Sequence, residues 1–362
     1  MLNLFLLVLL SRGVYALMWF YIAPLLPAML RDYGVDPAYA GLLPAAFVVG
    51  AALMQLPASY LGARYGHNKV AGFGMVLFGV SSVLMALAPS WGWALAFRAL
   101  GGVGAGLFFS TAGAVLVALS PSSVGSALGW YGASFNLGGF VGFYWGAVAS
   151  VLGWRPALAL PGLLSAALGV ALVRHGAVKS RPSLEWRAAA YGLASFPFWG
   201  AVYAANNLAA TWLHLYRGVG EWAAGAVSSA SMLSGLLGGL TGRLYDAGGR
   251  GRSALLAAAS TASIAFLAMP WAPLEAVPLL AFLYGLSFST YMTGVYAASS
   301  RAAQNPASAL AVINVTNMAL GLHVSYLFSW LMAQSPDYPW LFLASLALAS
   351  AVATYAVVVR AI

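Results

Sequence analysis

The sequence predicts an all-α integral membrane protein of about twelve transmembrane helices in two pseudo-symmetric six-helix bundles. Three observations carry this. Of 362 residues, 62% are apolar and only 6% charged, where a soluble domain has about a quarter charged. A chain of this size cannot hide so much apolar surface inside itself, so its solvent is lipid. Polar punctuation also cuts the chain into runs of about 20 residues, the length that crosses a bilayer. Finally, one offset of 183 residues lays Ala63 on Asp246, Gly102 on Gly285 and Pro156 on Pro339.

The expected spans are 4–30, 38–60, 70–88, 92–118, 125–150, 155–173, 188–215, 222–242, 253–270, 276–299, 308–332 and 340–359. The first ten residues lack the basic segment of a signal peptide, and their apolar run continues to Leu30, so they read as an uncleaved first helix. A membrane β-barrel would alternate over about 10 residues per strand, and these runs are longer. Residues 1–173 form the expected first bundle, 174–187 a cytoplasmic linker, and 188–362 the second bundle. With spans expected almost at both ends of the sequence, long soluble termini of the kind a receptor or scaffold would carry are not expected. Trp, Tyr and Phe together make 14% of the chain, which suits aromatic belts at two interfaces.

Loop charges set the orientation. With the N-terminus inside, the inside loops and C-terminus hold Arg64, Lys69, Arg174, Lys179, Arg181, Arg187, Arg243, Arg250, Arg252, Arg301 and Arg360. The outside loops hold only Arg31, Arg155 and Arg217. This bias predicts a multi-pass plasma-membrane protein with both termini cytoplasmic. The net charge of +9 therefore marks loops, not a nucleic-acid surface.

Two loop segments stand out. The run Gly242-Arg243-Leu244-Tyr245-Asp246-Ala247-Gly248-Gly249-Arg250-Gly251-Arg252 is a polar island between apolar spans, and Ser59 to Lys69 is its weaker counterpart. In the fourth span, Arg98 is followed by Gly102, Gly104 and Gly106. These features resemble the major facilitator superfamily over essentially the whole chain. Its loop signature, Gly-x-x-x-Asp-x-x-Gly-Arg-x-Arg/Lys, is met by Gly242, Asp246, Gly249, Arg250 and Arg252. The first copy keeps Gly66 and Lys69, but Ala63 stands at the aspartate and His67-Asn68 at basic positions. The fourth-span motif is met by Arg98 and its three glycines. The fifth span lacks the Gly-Pro of the family's antiporters, which weakens a drug/proton antiport reading. The resemblance implies alternating access, with spans one, four, seven and ten around a central cavity and Asp246 in a cytoplasmic latch. A solvated loop charge is the plainer reading of Asp246. The glycine spacing of Gly102, Gly106, Gly138 and Gly142 independently suits close helix packing in lipid.

Ionisable residues inside spans are candidates for function. They are Arg12, Arg98 and His323, with His214 near the outer end of span seven, and no Asp or Glu lies deep in a span. An arginine without a buried acid needs water or an anion, so Arg12 and Arg98 suggest a basic cavity. Snorkelling is the rival for Arg12, and bonding to backbone carbonyls is the rival for Arg98. Tyr15 and Trp19 follow Arg12 at helical spacing, and Trp199, Tyr203, Asn206 or Asn207, and His214 form a stripe on span seven. Tyr284, Tyr291, Asn136, Asn314 and Asn317 complete the polar candidates. Packing rivals substrate contact for each aromatic, and interhelical hydrogen bonding does so for each asparagine.

Catalytic signatures are missing. The sequence has no phosphate-binding loop ending in Lys, no Gly-x-Ser-x-Gly elbow and no His-Glu-x-x-His pair, and it has no cysteine. It predicts no enzyme, no metal site and no cofactor. The expected function is secondary or facilitative transport of a small organic anion by a monomer in the bilayer. Efflux of hydrophobic compounds and sugar transport are the transport alternatives. A non-transporting receptor or scaffold on the same fold is the alternative of another class.

Overall fold

The computed structural model describes residues 3–120, 124–179, 184–235, 237, 251–302 and 306–357. Among these residues the regular structure is helical, with no strand. In chain order the helices are α1 Leu4–Phe20, α2 Ile22–Tyr33, α3 Leu42–Tyr65, α4 His67–Ala86, α5 Trp91–Leu119, α6 Val124–Leu152 and α7 Trp154–Val173. They continue with α8 Ala189–Arg217, α9 Glu221–Ser228, α10 Ala230–Gly235, α11 Gly251–Ala268, α12 Val277–Ala302, α13 Pro306–Gln334 and α14 Tyr338–Val357. Among the described residues, nine helical segments are long and apolar enough to cross a membrane. The expected first span is one such segment, Leu4–Tyr33, bent at Tyr21. Pro24, one turn on, has no N–H for the carbonyl four residues back. The expected eighth span is described only in part, as α9 and α10, with a turn at Ser229.

The chain divides into two compact units. One comprises residues 1–35 and 43–183, the other 36–42 and 184–362. In the first unit α1 packs on α6, α4 on α5 and α7, and α3 on α5. In the second, α8 packs on α13, α11 on α12 and α14, and α10 on α12. These are the same four pairings, moved from spans one to six onto spans seven to twelve, so the sequence repeat is a repeat of packing.

Small residues make the pairings possible, because helices in lipid gain no hydrophobic drive and depend on backbone contact. A Cβ on Gly102 would overlap the Phe47 carbonyl, and one on Gly138 would overlap the backbone of Gly13. A Cβ on Gly104 would come 2.6 Å from the Gly74 carbonyl, on Gly106 2.5 Å from that of Ala51, and on Gly142 2.8 Å from that of Leu17. Gly200 and Gly321 make the equivalent approach between α8 and α13.

Polar caps close the helix ends. Arg155 donates to the carbonyls of Ala86 and Ala88 at 3.0 and 3.2 Å, and to Asp32 Oδ2 at 2.8 Å. Arg217 donates to the carbonyls of Pro270 and Ala272 at 3.2 and 2.7 Å. Two of the three arginines assigned to outside loops by the sequence reading thus serve carbonyls left over at the ends of α4 and α11. At the other end of the first unit, Gly66 takes φ +107 before α4, where a Cβ would also meet the Cβ of Ala177 at 2.9 Å. His67 N–H donates to the Val178 carbonyl at 2.7 Å. Asn68 donates to the carbonyls of Leu172 and His175 and accepts from Val178 N–H. Residues 174–179, read from sequence as linker, are therefore stitched to the first unit.

Replacing Gly102 by Ala places a methyl on backbone that cannot yield, at a cost of about 1–3 kcal/mol. The thermal midpoint followed by tryptophan fluorescence in detergent is expected to fall by several degrees. Gly132→Ala meets nothing within 4 Å and leaves the midpoint level or higher. Equal midpoints for both variants would contradict the packing role.

Candidate functional site

The first unit holds a buried cation inside a set of aromatic rings. Arg12 on α1 is 5% exposed. Its guanidinium carbon lies 4.8 Å from the ring centre of Tyr15, 4.9 Å from Phe109, 4.3 Å from Tyr131 and 4.3 Å from Phe135. Three helices supply the rings. Tyr15 follows Arg12 by one turn of α1, Phe109 comes from α5, and Tyr131 and Phe135 are successive turns of α6. Tyr131 OH donates to the Phe109 carbonyl at 2.8 Å, which ties α6 to α5 beside the guanidinium. The Gly13–Gly138 contact brings α1 and α6 together at this level.

Each ring face offers a cation about 0.5–2 kcal/mol, more when water is excluded. Burying the charge costs several kcal/mol after relaxation, so the rings offset part of that cost. Nε and Nη1 of Arg12 are buried without a hydrogen-bond partner, and among the described residues no carboxylate pairs with it. A group that accepts hydrogen bonds and carries negative charge is what this arrangement lacks.

Arg98 is arranged differently. It is 1% exposed, and its Nη1 and Nη2 donate to the carbonyls of Met18 and Trp19 at 3.1 and 3.0 Å. Its guanidinium also lies 4.1 Å from the Phe47 ring. Those carbonyls belong to the last turn of α1, which has no helical donors beyond its end. In this geometry both Nη groups of Arg98 hold backbone carbonyls. It braces the bend just after Trp19, whose ring packs at 4.7 Å on Phe47.

The candidate asparagines hydrogen-bond to neighbouring groups of the protein. Asn206 Oδ1 accepts from Ser231 Oγ at 3.0 Å and Tyr284 OH at 3.1 Å, knotting α8 to α10 and α12. Asn317 accepts from Ser195 at 2.9 Å, and Asn314 from Tyr296 at 2.6 Å. Asn207 donates to the Tyr203 carbonyl and Asn136 to that of Gly132, each on its own helix. An amide in lipid needs partners inside the protein, and these amides find them on helices. Oδ1 of Asn207 and Nδ2 of Asn317 remain buried without one.

The remaining candidates are aromatic or basic. Tyr284 stacks on Phe266, and Tyr291 hydrogen-bonds Thr354 and packs on Phe198, both fully buried. Trp199 stacks on Tyr203 at 5.1 Å with planes 8° apart. His323 is exposed on α13, and Lys69 is exposed at the start of α4. Gly242, Asp246, Gly249 and Arg250 lie outside the described residues, and of Arg252 only the helical backbone is described. Sequence reasoning named Arg12 and Tyr15 but missed Phe109, Tyr131 and Phe135. The four-residue spacing of Tyr131 and Phe135 was the available signal.

Two units of paired helices, each closed by its own polar caps, define a multi-pass membrane protein of the transporter class. The chain belongs to the Major Facilitator Superfamily, whose sequence model matches residues 8–325. It is 32% identical over 149 residues to the 4-hydroxybenzoate transporter PcaK of Pseudomonas aeruginosa, covering 41% of this chain and 33% of that protein. It is 27% identical over 122 residues to the quinolone resistance protein NorA of Staphylococcus aureus, covering 33% and 31%. The chain thus spans about a third of the length of these curated relatives. The nucleoside transporter NupG superposes with TM-score 0.78 at 15% identity over 98% of each chain. The D-xylose-proton symporter gives 0.78 at 15%, over 96% of this chain and 95% of that one. A bacterial homologue of the human lysosomal transporter Spinster gives 0.74 at 16%, over 99% and 96%. These likenesses show the fold.

Arg98→Met removes both donors and leaves the Met18 and Trp19 carbonyls unanswered, whereas Arg98→Lys keeps a donor. Unanswered buried groups cost about 1–3 kcal/mol each. Thermal midpoints are expected to fall in the order wild type, Lys, Met, and equal values for all three would refute the bracing role.

Proposed function

We propose that this protein is a secondary carrier that moves a small organic anion across the plasma membrane by alternating access, with Arg12 as the anion contact. The observation that carries the reading is the uncompensated Arg12 cation in its aromatic surround. Arginine offers planar, multidentate donors suited to a carboxylate. Phe109 and Phe135 are only half-buried, so a flat apolar body beside the carboxylate would find ring surface next to the charge. An aromatic carboxylate meets both requirements, and the similarity to a 4-hydroxybenzoate transporter supports the same class. The loop charges support cytoplasmic termini.

The test is counterflow in proteoliposomes, with benzoate, acetate, xylose and a hydrophobic cationic dye as separate cargoes. Benzoate is expected to exchange fastest. Arg12→Gln is expected to lower that rate about tenfold or more, the weight of one charge-assisted hydrogen bond, and Arg12→Lys to retain part of it. Dye transport that is indifferent to Arg12→Gln, without benzoate exchange, would replace this reading with efflux.

The reading retains Asp246 as the cytoplasmic latch, with Ala63 unable to serve in the first copy. The chain has no native cysteine, so a single cysteine introduced on the inner side reports opening directly. Asp246→Asn is expected to speed its labelling, and an unchanged rate would exclude the latch.

A further inference from the structure

At the end of α8 the chain Leu213-His214-Leu215-Tyr216-Arg217-Gly218-Val219-Gly220-Glu221 doubles back on itself. Gly218 adopts φ +66, the left-handed region that suits glycine and stops a helix. Val219 N–H returns to the Leu213 carbonyl at 3.2 Å. The reversal sets the Val219 carbonyl 2.9 Å from His214 Nδ1. It also brings Glu221 Oε1, on the first residue of α9, to 3.7 Å from His214 Nε2.

A carbonyl oxygen only accepts hydrogen bonds, so Nδ1 carries the hydrogen. In the neutral ring, Nε2 is then a bare lone pair facing a carboxylate. Two acceptors make no hydrogen bond, and 3.7 Å is beyond hydrogen-bond length. A proton taken from the medium onto Nε2 converts this pair into an imidazolium–carboxylate contact with a donor aimed at an acceptor.

We propose that His214 Nε2 is a proton-binding site, and that the bound proton closes the contact with Glu221 and fastens the start of α9 to the end of α8. The two side chains are 28% and 27% exposed, so the proton has access and the contact is part-shielded from solvent. Other charged groups stand on the surrounding elements. Arg217, on α8 itself, is held by the carbonyls of Pro270 and Ala272, and Asp36 acts on Tyr216. Glu275 precedes α12 and Asp337 precedes α14. Among the described residues, Glu221 is the carboxylate within ion-pair reach of His214.

The internal repeat sharpens the proposal. The 183-residue offset lays Arg31 on His214. The first unit has an arginine where the second has a histidine. The loop charges assign this end to the outer face, so the contact reads the proton concentration of the outer medium. The inference is independent of the cargo.

Hydrogen–deuterium exchange on the purified full chain tests it. Exchange of residues 219–224 is measured at pH 6 and pH 8, which bracket imidazole titration, and corrected for intrinsic pH dependence. Wild type is expected to be about threefold better protected at pH 6, the scale of one part-exposed ion pair. His214→Gln and Glu221→Gln are each expected to bring the ratio to one. A wild-type ratio of one, or a wild-type ratio retained in Glu221→Gln, overturns the proposal even if His214→Gln fails to fold.

Discussion

Lipid offers no hydrogen bonds, and the rest of this structure follows from that constraint. Every polar group at membrane depth needs a partner within the chain. Helices satisfy the backbone everywhere except at their ends and bends. There the chain uses arginine, whose five donors can serve several carbonyls at once. Arg98 serves the last turn of α1, Arg155 the end of α4, and Arg217 the end of α11. Asparagine does the same on a smaller scale. Asn68 stitches residues 174–179 to α4, and Asn206 joins three helices of the second unit.

Against this background Arg12 stands apart from Arg98. Arg98 and Arg12 are the same residue type in the same unit, both nearly fully buried. Arg98 has carbonyl oxygens in front of its N–H groups. Arg12 has ring faces against its planar faces, with Nε and Nη1 left unbonded. A carbonyl occupies a donor and ends its availability. A ring attracts the cation's face and leaves its edge free to donate. The two arginines therefore differ in which groups surround them, and burial alone does not separate them.

The fold was legible in the sequence because lipid imposes a length and a composition that few soluble chains satisfy. The repeat was legible as an offset, and Gly102 and Gly285, one offset apart, both sit where helix backbones meet. The site was legible in part. An arginine in an apolar span is conspicuous, but Phe109, Tyr131 and Phe135 are three aromatics among many. Which ring meets the guanidinium depends on how α5 and α6 are rotated, and periodicity does not fix that. The asparagines' partners were not legible for a related reason. A local pattern reveals that an amide is inside the membrane but not which neighbouring helix answers it. Asn206 is answered by Ser231 and Tyr284, 25 and 78 residues away.

The two halves share their packing and differ in their charges, and physics explains why the division falls there. A glycine where two backbones touch cannot become anything larger without displacing a helix. A charged group near a helix end is under looser constraint, because a carbonyl accepts any donor that reaches it. The end of α4 is capped by an arginine from the sixth span, and the end of α11 by one from the seventh. Likewise Ala63 faces Asp246 across the offset, and Arg31 faces His214. Duplication thus yields a symmetric scaffold whose charged positions are free to diverge.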